Sequence, residues 1–291
     1  MDTLVTVSAI ADNEQAALVE PALAHALAWF EHVEATCSRF DDSSEVFRLA
    51  EQPGIAVRVS PMLCQVVHFA IQVAKASHGM FDPTIGAAQA ERGFDRNYRT
   101  GRQVRLAGAA AKVSYRDVAV NLRASTITLR RRLLLDLGAV AKGLAIDLAG
   151  RELEQFAGFS IDAGGDILVG GVNDEHAPWR IGIEHPRAQQ LIATLELSNL
   201  AVCTSGDYER HAPGGAGHHL IDPHNGTSPQ SAISCTVVAQ RAMLADALST
   251  AALVAGPSFG LRLLEEQGVE GMIVLPDLSS RTTSGFGRYL A

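Results

Sequence analysis

The sequence predicts an α+β protein, and two observations carry that expectation. From about residue 158 onward the chain is dense in glycine and β-branched residues arranged as short strands. Its helical stretches are scattered and lack the regular βαβ alternation that a doubly wound parallel sheet requires. A chain of 291 residues with 47% hydrophobic residues is long enough for one large core or two modest ones. We expect a single integrated unit over residues 1–291.

The elements follow in order. Residues 3–10, TLVTVSAI, alternate as a strand does, and residues 14–36 suit an amphipathic helix with Leu18, Leu23, Leu27 and Phe30 on its apolar side. Ser44 can cap a short helix carrying Val46, Phe47 and Leu49. A helix over 61–78 starts at Pro61 behind Ser60 and stops at Gly79. Residues 90–112 are polar and arginine-rich, a surface excursion, and short strands follow with a hairpin through Arg123, Ala124 and Ser125. The run Leu133, Leu134, Leu135 reads as a buried strand that hands over, through Asp136 and Gly138, to a helix ending near Phe156. Beyond it come FSIDAGGDILVGG, WRIGIEHP, LIATLELSN and LAVCTSG, then a strand at 235–238, an alanine-rich helix, a helix over 259–267 and the strand GMIVL.

Charge excludes one class of function and the ends of the chain bear on another. A net charge of −8 and a pI near 5.7 argue against nucleic-acid binding, which needs a basic surface. The N-terminus has no basic start and reads as neither a secretory nor a lipoprotein leader, so we expect a cytoplasmic protein or one trimmed of its leader. No unbroken apolar run reaches the roughly 18 residues of a membrane span. Cys37, Cys64, Cys203 and Cys235 are scattered as reduced, mostly buried thiols would be.

The chemistry centres on residues 133–147, LLLDLGAVAKGLAID. A helix N-terminus with Lys142 in its first turns is a place to hold a phosphate, and Asp136 is left for a donor or a metal-bridged anion. Asp82 in MFDPTIG stands in a turn with Thr84 and Gly86. The adjacent Gly164 and Gly165, between Asp162 and Asp166, mark a bulge or a close approach of backbone to a ligand. Thr204, Ser205 and Gly206 end a strand in a way that suits a polar ligand or a tight turn. HHLIDPHNG brings His219 and Asp222 together, and with His211, His218 and His224 raises a zinc site as a minor alternative. Asp246 and Thr250, four apart in an apolar helix, share a face and suit magnesium, with a hydroxyl bonded to its own helix as the plainer alternative.

Taken together and in this order, MFDPTIG, DLGAVAKG, SIDAGGD, AVCTSGDYER, HHLIDPHNG and the ADALST helix resemble the ApbE family of FAD:protein FMN transferases. The resemblance implies an ApbE-like, T-fold-related architecture of antiparallel β-sheets flanked by helices. It implies an enzyme that binds FAD and Mg2+, joins FMN through a phosphoester to a threonine or serine of an acceptor flavoprotein, and releases AMP. By the same resemblance Asp246, Thr250 and the Ala139 carbonyl hold the metal. Asp82, Asp136, Lys142, Gly164, Gly165, Asp166, Thr204, Ser205, His219 and Asp222 contact the dinucleotide in one cleft, and Asp246 or His219 is the candidate base. An FAD pyrophosphatase and a non-catalytic flavin carrier are the alternatives, though a carrier has no need of Asp246 and Thr250. The chain departs from the family at Ala139, where a second glycine is frequent and a methyl group would matter if the backbone needed positive φ. Cys37, near a variable family position, leaves flavin contact there open.

Overall fold

The computed structural model describes residues 3–211 and 217–291. Its first half runs β1 (Val5–Ile10), α1 (Ala16–Cys37), α2 (Glu45–Ala50), β2 (Ala56–Arg58), α3 (Pro61–Ala76), α4 (Gly86–Glu91), β3 (Val118–Asn121) and β4 (Thr126–Leu129). There follow α5 (Gly138–Leu153), β5 (Gly158–Ala163), β6 (Asp166–Gly171), β7 (Trp179–Glu184), β8 (Leu191–Leu197) and β9 (Leu200–Gly206). The chain closes with β10 (Ser234–Ala239), α6 (Ala242–Glu266), β11 (Glu270–Val274) and β12 (Ser280–Thr282). The sheets among these strands are antiparallel, as the α+β expectation requires. By contacts the chain forms two compact units, one of Met1–His32, Lys142–Gly206 and Gln230–Ala291, the other of Val33–Ala141 and Asp207–Pro229.

The first unit is built on a seven-stranded sheet in the order β1-β5-β6-β9-β10-β11-β12. Successive residues of a strand face opposite sides, so β9 sends Leu200 and Val202 one way and Ala201, Cys203 and Ser205 the other. On the first side Val202, Val169, Val238, Met272 and Val274 form a cluster with Ile183, Leu195 and Leu197 of the β7–β8 ribbon and with Phe286. On the other side lies α6, against β9, β10 and β11. Gly256 kinks α6 with a φ of 75° just ahead of Pro257, so the helices expected separately form one bent element. By length and composition α6 could cross a membrane, but it is mostly buried as the core helix of this sheet.

The second unit holds the small sheet β2-β4-β3, with Ser125 at positive φ in the expected β3–β4 turn. Ser44 and Ser60 cap α2 and α3 through the N–H groups of Phe47 and Leu63, as their sequence positions foretold. The excursion at 90–112 is tied down by ion pairs of Arg99 with Glu34, Arg102 with Asp42 and Arg105 with Asp95.

Two element readings need correction. The apolar stripe of α1 is Ala22, Ala26, Phe30, Val33 and Cys37, whereas Leu18 and Leu27 are exposed. Residue size misled here, because small side chains occupy the packed face. Leu133, Leu134 and Leu135 are fully buried but pair with no strand. Their extended segment bonds instead to the loop before α4, with the N–H of Gly86 donating to Leu134 O at 3.2 Å and that of Asp136 to Pro83 O at 2.7 Å.

Candidate active site

The site in the first unit depends on how closely α5 approaches α6. Gly143 makes this possible, since a Cβ there would lie 2.5 Å from both the carbonyl oxygen of Ala242 and the Cα of Met243. One turn further along α5, Asp147 accepts from the N–H groups of Ala242 at 2.7 Å and Met243 at 3.1 Å. It caps α6 from outside, as Arg241 at the N-cap position makes no side-chain bond of its own. Burial pushes the Asp147 carboxyl up, and the two N–H donors only partly offset this.

That crossing sets Lys142 of α5 beside Asp246 of α6. The N–H of Gly143 donates to Asp246 Oδ2 at 3.3 Å. The Lys142 ammonium is ion-paired with Asp166, whose other oxygen accepts from the N–H of Thr204 at 3.1 Å. Burial alone would lower the Lys142 ammonium, but the Asp246 and Asp166 carboxylates together raise it well above the ordinary lysine range. Lys142 is therefore a permanent cation with three donors, of which Asp166 takes one.

Thr250 shares a face of α6 with Asp246, yet its hydroxyl does not bond to its own helix. It lies 2.9 Å from Ser205 Oγ on β9. Ser205 is in turn 2.8 Å from Ser249, and Ser249 donates to the Asp246 carbonyl at 2.9 Å. Thr204 faces the opposite side, with its hydroxyl 2.8 Å from that of Thr236. Gly164 and Gly165, at φ of 66° and 90°, form the two-residue β5–β6 hairpin, with the Gly165 N–H on Asp162 Oδ1 at 2.8 Å. No bulge occurs, because a tight turn requiring positive φ at both positions accounts for the pair.

The second unit gathers Asp136, Arg39, Gln89 and His219. Asp136 meets Arg39 Nε at 2.6 Å and accepts from the N–H of Gly138 at 2.8 Å, so it supplies an anion at the start of α5. Burial would raise its carboxyl, but the Arg39 guanidinium, the Gly138 N–H and the charge of Arg210 together hold it below the usual range. Arg39 also donates to Gln89 Oε1 at 3.1 Å, and Gln89 donates to the His219 carbonyl at 3.3 Å. Burial, and after it the charge of Arg210, pull the His219 imidazole down to about 4, so the ring is neutral at pH 7.

The carboxylates of Asp82 and Asp222 each hold a turn of the chain. Asp82 uses one oxygen on the N–H and hydroxyl of Thr84 at 2.9 and 2.7 Å and the other on the N–H of Tyr115 at 2.9 Å. Asp222 holds the 222–227 turn through the His224 N–H at 2.9 Å and Asn225 Nδ2 at 2.6 Å. The histidine-rich segment offers no zinc site: among the described residues no group of three or more His, Cys, Asp or Glu side chains could hold a metal.

Against known proteins, the ApbE family profile matches residues 1–273. The chain belongs to the ApbE family. Similar ApbE relatives include the FAD:protein FMN transferase of Haemophilus influenzae, 30% identical over 87% of this chain and 77% of that one. The FAD:protein FMN transferase of Treponema pallidum is 31% identical over 93% of this chain and 81% of that one. Among solved structures, the ApbE protein of Thermotoga maritima superposes with a TM-score of 0.85 at 28% identity, covering 99% of both chains. The flavinyl transferase ApbE of Pseudomonas stutzeri, in its apo form, gives 0.83 at 26% identity over 98% of this chain and 92% of that one. The ApbE fold of antiparallel sheets and helices is thus the fold of this chain.

The magnesium that the family resemblance implies needs hard oxygen donors. The buried Asp246 carboxylate and the Thr250 hydroxyl, one turn apart, are such donors, and the charges of Lys142, Asp166 and Asp246 comprise two negatives and one positive. This set suits a divalent cation. Ala139, in the first turn of α5, is not among the residues with positive φ, so its methyl group is accommodated without strain. Gly143, Asp147, Ser249 and Arg39 escaped the sequence reading. For the first two a signal existed: a glycine inside a helical pattern with a carboxylate four residues on marks a close helix crossing.

Proposed function

We propose that this chain transfers FMN from FAD to a threonine or serine hydroxyl of an acceptor flavoprotein, with magnesium as cofactor. The observation that carries this reading is the placement of Asp246, Thr250 and Lys142 in one cluster, in a chain whose relatives are named FAD:protein FMN transferases. In the reaction the acceptor oxygen attacks the phosphorus of the FMN half of FAD. The P–O bond to the AMP half breaks, the hydroxyl proton passes to a base, and AMP leaves.

Asp246 and Thr250 would hold the cation, and bound magnesium would neutralise charge on the pyrophosphate. Lys142, cationic at any working pH, offers its remaining donors to a phosphate oxygen. Asp166 neutralises part of its charge and fixes its direction. Gly143 and Asp147 keep α5 and α6 at the spacing that this requires. His219 is a poor general base, since an imidazole near 4 holds an abstracted proton weakly at neutral pH. A hydrogen bond to FAD or to the acceptor suits it better.

Incubation with FAD and magnesium, with and without a threonine-bearing flavoprotein fragment, tests the reading by AMP release. AMP that appears only with the fragment, in step with its flavinylation, supports transfer. AMP and free FMN in equal amounts with every fragment tried would move the activity to FAD hydrolysis.

A further inference from the structure

We propose that Ser249 and Ser205 are positioning residues that turn the lone pairs of Thr250 toward the metal, an inference that rests on Asp246 and Thr250 being magnesium ligands. Counting protons fixes the direction of the chain. Each hydroxyl has one hydrogen to give and two lone pairs to receive. The Asp246 carbonyl can only accept, so the hydrogen of Ser249 is spent on it at 2.9 Å. Across the 2.8 Å contact between Ser205 and Ser249, Ser205 must therefore donate. Across the 2.9 Å contact between Ser205 and Thr250, with the Ser205 hydrogen already committed, Thr250 must donate.

The order is Thr250 to Ser205 to Ser249 to the Asp246 carbonyl. Thr250 then points its hydrogen at β9 and keeps both lone pairs for other use, the state in which a neutral hydroxyl can bind a cation. Ser249 is fully buried and Ser205 nearly so, which keeps water from replacing either member. The chain also returns to the backbone of Asp246, so the carbonyl of one proposed ligand orients the hydroxyl of the other. Partners that orient a ligand commonly affect metal affinity by roughly tenfold or more.

Titration of magnesium alone into the full-length protein, followed by calorimetry, tests this without recourse to activity. Ser249→Ala releases the hydrogen of Ser205 to turn on Thr250, and magnesium affinity is expected to fall roughly tenfold. Ser205→Ala removes the acceptor of the Thr250 hydrogen and is expected to weaken binding similarly. It carries the test if Ser249→Ala does not fold. In a Thr250→Ala background the same serine changes are expected to cost no further affinity, whereas a merely structural role would add its own loss. Wild-type affinity in the folded serine variants, or additive losses in the Thr250→Ala background, overturns the proposal. Absence of magnesium binding by the wild type would instead overturn the metal assignment on which it rests.

Discussion

Gly143→Ala tests the crossing on which the site of the first unit is built. The added Cβ would meet backbone atoms of Ala242 and Met243 at 2.5 Å, and backbone at the start of a helix cannot swing aside as a side-chain end can. Overpacking of this kind costs about 1–3 kcal/mol. Alanine returns up to about 1 kcal/mol over glycine in a helix interior. Moving α6 away also stretches both bonds from Asp147, a cap worth about 1 kcal/mol. The net expectation is a loss of about 2 kcal/mol, or about 4–8 °C in Tm for a chain of this order of size. Differential scanning calorimetry of the metal-free protein reads this directly. Magnesium affinity should fall with it, because the Gly143 N–H no longer steadies Asp246. An unchanged or higher Tm would refute the reasoning, since helix propensity would then outweigh the contact.

Other perturbations probe separate parts of the molecule. Asp147→Ala strips the N-terminus of α6 of its carboxylate and is expected to cost about 1–2 kcal/mol in urea unfolding. Arg39→Met leaves the Asp136 carboxylate without its guanidinium, with an expected loss of about 3 kcal/mol at pH 7 that shrinks as acid neutralises Asp136. The His219 imidazole is held at about 4 in the folded chain against 6.5 in an ordinary histidine, so the unfolded chain binds more protons between those values. Its contribution is complete above pH 6.5 and is lost as pH falls toward 4, up to about 3 kcal/mol at the limit. His219→Gln should flatten stability over that window, measured by urea unfolding at steps between pH 7 and 4.

Much of the fold could be read from local signals. Ser44 and Ser60 stand where capping chemistry demands, whereas Gly164 and Gly165, read as a bulge or a close backbone approach to a ligand, form a hairpin turn. The buried run at Leu133–Leu135 looked like a strand because burial and strand pairing leave the same apolar signature, and only its bonds to the 83–86 loop separate them. At the site, Asp246 and Thr250 were visible through their helical spacing. Ser249 was not, because a serine beside a threonine in a helix gives no sign of which neighbour across space will share its proton. Asp82 and Asp222 stood out as aspartate-proline pairs, a pattern that backbone turns produce as readily as ligand sites.

The most direct measurement is the intact mass of a threonine-bearing flavoprotein fragment after incubation with FAD, magnesium and either the wild-type chain or its Asp246→Ala variant. A gain of one FMN with the wild type, lost with the variant and on chelation of magnesium, is the expected result. A gain that survives both treatments would contradict the placement of the metal on Asp246, and no gain with any acceptor tried would contradict the transfer itself.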